Sequence, residues 1–351
     1  MAKTAKPRVT LRDIADASGC SIDTVSKVLS GQRKETWPSM VRRANEIRRI
    51  AEDLGYQPNA AARATRSGRF RSIGLVLSTD RGRSRLPDAL LDGLLDALGE
   101  AGMSMTVAKW SDEELSNGRQ TPKLLNEWMV DGLLVNYTHQ VSEPMVRSVR
   151  EQARPAVWLN IDFERDCVRP DDFGGGRAAT EHLLRLGHRR IAYADFGRGT
   201  HDIDEAHYSV RHREQGYRAA MRDAGLEPWV ERPKFGLSGS ERPAAYTELF
   251  RRPDRPTALI GYAPTTNLAL RAWNCGLRIP DDLSMLGFGD ALVDPLGRPL
   301  SQMRFDQSEL GHRAVAMMLR MLGGEGESQP AELLAYQRVG EGSTAPPPGR
   351  H

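Results

Sequence analysis

Short apolar segments alternate with amphipathic helical patterns along the chain from Ser72 onward. Apolar runs bounded by turn residues are typical of buried strands, whereas an apolar position at every third or fourth residue is typical of a helix packed on a sheet. The runs with the strand pattern are IGLVLS, MTVAKW, GLLVNY, PAVWLNI, RIAYADF, TALIGYA and LSMLGFG. This alternation predicts an α/β body with parallel sheets, and the first helices are expected near residues 87–101 and 123–129.

The first 56 residues follow a different pattern, that of three short helices. Thr10 is placed to cap the first helix, with Asp13 at the capping-box position three residues on. Ser21 is placed to cap a second helix over residues 22–29, and a third helix is expected over residues 38–54. The inward face of the third helix is expected to hold Val41, Ala44, Ile47, Ala51 and Leu54.

The first two helices have the features of a helix-turn-helix. Gly19 gives the turn between them its conformational freedom, and Val25, Val28 and Leu29 form one apolar face of the second helix. The opposite face is polar, and a helix of this kind fits the DNA major groove, where side chains reach base edges. The amino-terminal region is therefore predicted to be a DNA-binding head.

The charge distribution agrees with that prediction. Residues 1–71 hold 15 basic and 7 acidic side chains, a net charge of +8, while the whole chain carries +3, so the remaining residues carry −5. A basic head on an acidic body is typical of a polyanion-binding module joined to a second function. The alternative is a solvated basic face, and composition alone does not separate the two.

Composition and spacing exclude several other classes. Cys20, Cys167 and Cys275 lie more than 100 residues apart and form neither a zinc pattern nor a disulfide framework, so we expect no metal and no cofactor. No apolar run approaches the roughly 20 residues of a membrane span, and the start lacks a signal-peptide pattern, so a cytoplasmic protein is expected. His182 and His188 do not have metalloprotease spacing, and no reactive constellation indicates an enzyme.

Specific motifs extend these patterns to a known family. VTLRDIADASGCSIDTVSKVLSG, then LGYQPNAAARATRSG and the strand SIGLVLS, resemble the transcriptional regulators of the lactose-repressor (LacI) family. DDFGGGRAATEHLLRLGHRRIAY, RHREQGYRAAMRDAGL and GLRIPDDLSMLGFGD follow in the family's order. The resemblance implies a helix-turn-helix domain over 1–56, a hinge over 57–71, a two-lobed sensor similar to type I periplasmic binding proteins over 72–340, and a flexible tail over 341–351.

The same resemblance implies a set of DNA contacts. Ile22, Asp23 and Lys27 occupy base-reading positions, although Asp23 at a helix start has the alternative role of complementing the helix dipole. Thr65 stands where the family's hinge inserts an apolar wedge into the minor groove, and threonine is a poor wedge. The full predicted set is Thr10, Leu11, Ser21, Ile22, Asp23, Thr24, Ser26, Lys27, Ser30, Tyr56, Asn59, Ala62, Thr65 and Arg66.

For the sensor, the resemblance implies effector contacts and three chain passages between the lobes. Arg213 stands at the family's ligand-contacting arginine, with a surface ion pair as the alternative role. The other predicted contacts are Asn160, Phe235, Tyr262 and Asp290. Gly289 replaces an aspartate that contacts effector in the family, which indicates an unusual effector or none. The passages are expected near residues 161–168, 291–303 and 323–331.

These predictions converge on one function. The chain is expected to be a homodimeric, sequence-specific regulator, most often a repressor in this family, that binds a near-palindromic DNA operator. A small-molecule effector, a sugar or a related metabolite, is expected to modulate it. The alternative is a regulator whose sensor serves mainly dimerisation. An exported solute-binding protein would leave the basic head unexplained, and a nucleic-acid-binding protein without a sensor would leave the body unexplained.

Overall fold

The protein is described by a computed structural model over residues 9–30, 37–56, 68–116, 129–151, 154–195, 206–232, 241–262, 265–294, 296–324 and 328–349. The chain divides into two compact units, Met1–Phe70 and Arg71–His351. The expected hinge falls mostly outside the described residues, so its limits stay a prediction. The expected helix near residues 123–129 also lies outside them, apart from its last residue.

In the described part of the first unit there are three helices, as the sequence pattern predicts. They are α1 (Leu11–Ser18), α2 (Ile22–Leu29) and α3 (Pro38–Asp53). Thr10 and Asp13 form a reciprocal capping box, in which the Asp13 carboxylate accepts the Thr10 backbone N–H at 2.7 Å. Gly19 ends α1 with a φ of +63°, a left-handed conformation that glycine adopts without strain.

The core of this unit is small and apolar. Ile14, Val25, Val28, Ala44 and Ile47 are buried in one cluster contributed by all three helices. The prediction that the inward face of α3 extends further is wrong at both ends of the helix: Val41 is 36% exposed and Leu54 is 41% exposed. Three short helices enclose too little volume to cover the first and last turns of a 16-residue helix.

Two six-stranded sheets form the second unit, as the described residues show it. The first sheet has the order β11-β5-β4-β3-β1-β2 and is parallel throughout. The second has the order β12-β10-β9-β8-β6-β7 and is parallel except for β12. The strands are β1 (Ser72–Ser78), β2 (Ser104–Trp110), β3 (Gly132–Asn136), β4 (Ala156–Leu159), β5 (Cys167–Pro170), β6 (Ile191–Ala194), β7 (Trp229–Glu231), β8 (Ala258–Gly261), β9 (Ser284–Phe288), β10 (Ser301–Arg304), β11 (Glu332–Leu334) and β12 (Gln337–Val339).

Helices cover the sheets on both faces. The helices are α4 (Asp88–Glu100), α5 (Asp112–Ser116), α6 (Glu143–Arg150), α7 (Asp172–Arg185), α8 (Ser209–Asp223), α9 (Glu241–Arg251), α10 (Thr265–Asn274) and α11 (Gln307–Leu322). On one face of the first sheet, α4 packs against α11, and on one face of the second, α7 packs against α8. All seven predicted strands are present, and α4 confirms the helix expected near residues 87–101. The α/β fold class is therefore confirmed.

The chain passes between the sheets three times. The passages lie at Asp171, between β5 and α7; at residues 305–306, between β10 and α11; and at residues 335–336, between β11 and β12. The expected positions near 161–168, 291–303 and 323–331 are wrong. Before each passage the chain adds one more short strand to its sheet, namely β5, β10 and β11. Each passage therefore lies later in the sequence than predicted.

The end of the chain is part of the folded body. The Ser343 side chain is fully buried, and its Oγ accepts from the Ser301 N–H at 2.7 Å and donates to the Met285 carbonyl at 2.6 Å. Ala345 donates its N–H to the Ser284 Oγ at 2.9 Å. The expected flexible tail over 341–351 is therefore wrong for these residues, because the segment satisfies polar groups of β9 and β10.

Helix α4 gives a test of the packing between α4 and α11. A Cβ built on Gly93 would lie 2.2 Å from the Ser308 carbonyl oxygen, whereas a Cβ on Gly99 of the same helix meets nothing within 4 Å. Gly93→Ala is expected to lower the free energy of unfolding by about 1–3 kcal/mol through overpacking. Gly99→Ala is the control and should raise it by up to about 1 kcal/mol through helix propensity. Urea unfolding measures both, and equal effects would contradict the close contact.

Candidate functional site

Helix α2 is held by local caps and presents a polar face. The Ser21 Oγ accepts the Thr24 backbone N–H at 3.1 Å, and it lies 2.9 Å from the Thr24 Oγ1. Because the cap fixes the start of α2, the first helical turn is a defined surface and not a frayed end. Its apolar side, Val25 and Val28, is buried in the core of the unit.

The three predicted base-reading residues lie together on the exposed side of α2. Ile22 is 42% exposed. The Lys27 Nζ and the Asp23 Oδ2 are 2.7 Å apart, with side chains 54% and 72% exposed. An exposed pair one helical turn apart stabilises a helix by only about 0.3–0.5 kcal/mol. A base contact discriminates by about 1–3 kcal/mol, so the ion pair does not prevent either side chain from engaging a base.

The remaining predicted DNA contacts differ in accessibility. Ser26, one of the predicted contacts, is buried at 8% exposure. The Ser30 Oγ lies 3.4 Å from the Lys27 carbonyl oxygen, and Thr10 is exposed. Leu11 and Tyr56 are half-buried and pack against the core of the head. The predicted hinge contacts Asn59, Ala62, Thr65 and Arg66 lie outside the described residues.

A cavity of about 270 Å³ opens between the two sheets of the second unit. It lies beyond the carboxyl ends of several parallel strands, where open α/β sheets bind ligands, and beside two of the chain passages. Its lining residues are Arg85, Pro87, Leu90, Asn136, Asn160, Arg213, Tyr262, Phe288, Gly289, Asp290, Met303, Arg304, Phe305, Gln307, Leu310 and Tyr336. Four of the five predicted effector contacts are among them; the fifth, Phe235, lies outside the described residues.

A buried triangle of hydrogen bonds fixes Arg213 in this cavity. The Arg213 Nε donates to the Asp172 Oδ1 at 2.6 Å, and its Nη2 donates to the Tyr336 hydroxyl oxygen at 2.8 Å. The Tyr336 O–H in turn donates to the same Asp172 oxygen at 2.8 Å. Asp172 is fully buried, so the ion pair that the sequence allowed for Arg213 exists, but in the interior and not at the surface.

Aromatic rings surround the same guanidinium. Its central carbon lies 4.4 Å from the ring centre of Phe288, 5.1 Å from that of Tyr262 and 5.6 Å from that of Tyr336. The faces of such rings attract cations. Burial disfavours the charge, yet Tyr336 and Asp172 hold the pKa of Arg213 well above its ordinary value. The group is therefore a fixed cation inside the cavity.

The other predicted effector contacts also have partners within the chain. Asn160, with a φ of +54° after β4, accepts the Tyr208 O–H on its Oδ1 at 2.9 Å. The Tyr262 hydroxyl lies 3.0 Å from the Ser209 Oγ. Asp290 pairs with the Arg304 Nε at 3.2 Å and accepts from the Gln307 Nε2 at 3.2 Å.

Sequence reasoning missed three residues of the pocket region. Asp172 is absent from the predicted contacts; its neighbour Asp171 caps α7 by accepting the Gly174 N–H at 2.9 Å. Tyr336 was not singled out, because the passage that carries it was placed too early. Asn136 was also missed, although it ends the GLLVNY run and the position after a strand was the available signal.

His207 lies behind Asn160 and is held neutral. Its Nε2 lies 3.3 Å from the Asn160 carbonyl oxygen, and its Nδ1 accepts the Ser209 backbone N–H at 3.2 Å. Removal from water lowers the pKa of His207 to about 4. An imidazole with this pKa is neutral at pH 7 and has one donor and one acceptor nitrogen. The Nε2–H can therefore donate to the Asn160 carbonyl oxygen while the Nδ1 accepts the Ser209 N–H.

The described part of the chain has neither a metal-binding cluster nor a membrane-spanning helix. No group of three or more His, Cys, Asp or Glu side chains there is arranged to hold a metal ion. Among the helices that the structure describes, none is long and apolar enough to span a bilayer.

The fold is similar to a known domain family and to solved structures of transcriptional regulators. A family model described as a periplasmic binding protein-like domain matches residues 180–344. The crystal structure of the Lac repressor dimer bound to operator and the anti-inducer ONPF has a TM-score of 0.73 at 21% identity, covering 96% of this chain and 99% of that chain. At this identity the likeness shows the fold. The crystal structure of a LacI family transcriptional regulator from Mycobacterium smegmatis has a TM-score of 0.57 at 28% identity, covering 78% and 99%.

Sequence relatives extend the likeness over most of the chain. The ribose operon repressor of Escherichia coli (strain K12) is 27% identical over 324 residues, covering 89% of this chain and 93% of the repressor. The HTH-type transcriptional regulator CelR of Thermobifida fusca is 29% identical over 325 residues, covering 89% and 91%.

As far as the structure describes it, the chain has a capped helical head and a two-sheet body with a cavity between its sheets, and the periplasmic binding protein-like domain model matches part of that body. The chain is similar over 89% of its length to transcriptional regulators such as the ribose operon repressor and CelR, and its fold is similar to that of LacI-family regulators. Its relatives are regulators and not enzymes.

The buried pair gives a stability prediction with a neighbouring control. Asp172→Asn keeps the side-chain volume but leaves the Arg213 charge uncompensated in the interior, which is expected to lower the free energy of unfolding by about 3 kcal/mol. Asp171→Asn is the control, because asparagine caps a helix as well as aspartate does, and a change below about 0.5 kcal/mol is expected. Urea unfolding of both variants checks this, and equal small losses would contradict a buried ion pair.

The neutral His207 gives a pH prediction. Because its pKa in the folded protein is about 4 and that of a free histidine is 6.5, the unfolded chain takes up this proton first as the pH falls. The stability due to neutral His207 is complete above pH ~6.5 and declines toward pH 4. Urea unfolding at pH 7 and pH 5 should show a smaller loss for His207→Asn than for the unchanged protein. Parallel losses would contradict the lowered pKa.

Proposed function

We propose that this chain is a homodimeric regulator that reads a near-palindromic DNA operator with α2 and responds to a small molecule bound in the cavity between the sheets. The observation that carries the proposal is the side-by-side exposure of Ile22, Asp23 and Lys27 on a capped helix whose other face is locked into the core. The likeness to a Lac repressor dimer bound to operator supports it.

The three exposed side chains have the chemistry for reading bases. An amine such as that of Lys27 donates to the O6 and N7 of guanine, and a carboxylate such as that of Asp23 accepts from the N4 of cytosine. An aliphatic group such as that of Ile22 fits the thymine methyl. The net charge of +8 on residues 1–71 supplies the attraction to phosphate that precedes base reading.

Symmetry fixes the form of the operator. Two copies related by a two-fold axis offer one α2 each, so the matching DNA site repeats with inverted orientation. In this proposal the protein acts in the cytoplasm, where the chromosome is accessible, and most often as a repressor, as several of its relatives are named.

The cavity supports an effector role, and one observation favours the alternative. A structure similar in fold is described as a CelR–cellobiose complex, which supports a small-molecule ligand for a body of this fold. Against it, Arg213 already has Asp172 and Tyr336 as partners, so the cavity is stable without a ligand. An effector alters DNA binding only if it prefers one of two states of the protein. Without such a ligand, the body serves mainly dimerisation.

Selection of bound duplexes from a random DNA pool at near-physiological salt tests the function. The expected result is an enriched site with inverted symmetry, protected by two copies of the chain. Binding that depends on salt but enriches no sequence would overturn specific recognition.

A substitution in α2 separates base reading from phosphate contact. Lys27→Ala is expected to lower discrimination at one base pair of each half-site by about 1–3 kcal/mol and to leave the other positions unchanged. Arg49→Ala, on the exposed side of α3, is the control and should leave every base preference unchanged. Affinities for a set of single-base operator variants check this. Uniform weakening by Lys27→Ala would show that Lys27 contacts phosphate.

A further inference from the structure

The cavity holds a buried hydrogen-bond acceptor that has no donor among the described residues. Asn136, at the end of β3, is fully buried, and its Nδ2 donates to the Arg85 carbonyl at 3.1 Å. Its Oδ1 accepts no hydrogen bond from the part of the chain that the structure describes, although the residue lines the cavity. An unsatisfied buried acceptor costs about 1–3 kcal/mol, so a ligand that donates to it is favoured.

Of the three arginines that line the cavity, two are paired with carboxylates and one is not. Arg213 is balanced by Asp172 at 2.6 Å, and Arg304 by Asp290 at 3.2 Å. Arg85 also lines the cavity, is exposed, and has no ion-pair partner among the described residues. The hydrogen bonds of Arg213 within the described residues use its Nε and Nη2, which leaves its Nη1 for a ligand. The cavity therefore carries a net charge of +1 and accepts one negative charge.

Aromatic and aliphatic side chains form most of the remaining lining, beside the polar Asn160 and Gln307. Tyr336 meets the edges of Phe288 and Phe305, each at 5.5 Å between ring centres, and Tyr262 lies on the other side of Arg213. The aliphatic residues Pro87, Leu90, Met303 and Leu310 complete the apolar surface. A polyol needs a hydrogen-bonding group for each hydroxyl, whereas this part of the lining consists of aromatic rings and aliphatic side chains.

At Gly289 the lining of the cavity has no side chain. A Cβ built there would meet only the Gln302 Oε1, at 3.9 Å, so the position is open and uncharged. The cavity volume of about 270 Å³ is at the small end for ligand sites and suits a molecule of about one ring.

We infer that the cavity binds a small aromatic carboxylate bearing a hydroxyl group. The carboxylate takes the free donors of Arg85 and Arg213, the ring lies against the aromatic side chains, and the hydroxyl donates to the Asn136 Oδ1. This inference rests on the proposed function, since it names the ligand class of the same cavity.

Calorimetric titration of the full chain tests the class with four probes. 4-Hydroxybenzoate is expected to bind, benzoate to bind more weakly because it leaves the Asn136 Oδ1 unpaired, and gluconate and glucose to bind more weakly than both. Tighter binding of glucose would show a neutral sugar site, and tighter binding of gluconate a hydroxylated-acid site. Either result, or no binding of both aromatic acids at millimolar concentration, overturns the inference.

Two variants at one position separate charge from size. Gly289→Asp places a carboxylate in the open space and is expected to weaken 4-hydroxybenzoate at least about tenfold. Gly289→Asn has nearly the same volume without the charge, and a loss below about threefold is expected. Equal losses would show that size and not charge is sensed, and would overturn the anion assignment. The DNA selection is a separate measurement, so failure here leaves the proposed function standing.

Discussion

The buried contact among Asp172, Arg213 and Tyr336 is the constraint around which the body is arranged. Asp172 begins α7 directly after the first passage between the sheets, Tyr336 lies on the third, and Arg213 extends from α8. An isolated buried charge is costly, so each member depends on the other two. One polar triangle thus joins a helix of the second sheet to two connections between the sheets. Arg213 and Tyr336 of this triangle line the cavity between the sheets.

In the head, polar groups at the helix ends must also be satisfied, and the core there is small. Its core of small helices cannot bury much surface, so caps at Thr10 and Ser21 satisfy the helix ends that packing leaves open. The same caps fix which side of α2 faces water. Ile22, Asp23 and Lys27 are exposed because Val25 and Val28 occupy the only apolar side of the helix. Fold and candidate DNA interface therefore follow from one pattern of apolar positions.

Much of this architecture could be predicted from the sequence, and the failures share a cause. The seven apolar runs and the capped helices depend on local periodicity, which the sequence shows directly. Strands of three or four residues are too short to show a periodic pattern, and β5, β10 and β11 are of this length. Because each of them precedes a passage, the sequence predicts all three passages too early. Arg213 was predicted at the pocket from the resemblance, but its partners lie 41 and 123 residues away, and only the tertiary fold brings them together.

In the proposed function, one chain couples DNA reading to ligand binding in the cavity of its body. The most direct test is the affinity of the full chain for its selected duplex, measured by fluorescence anisotropy with and without a saturating amount of the acid that binds most tightly. The account predicts a change of about fivefold or more, in either direction, because coupled sites of this kind exchange about 1–3 kcal/mol. The same affinity with and without a saturating ligand would contradict the claim, because a ligand that binds without shifting DNA affinity is not an effector.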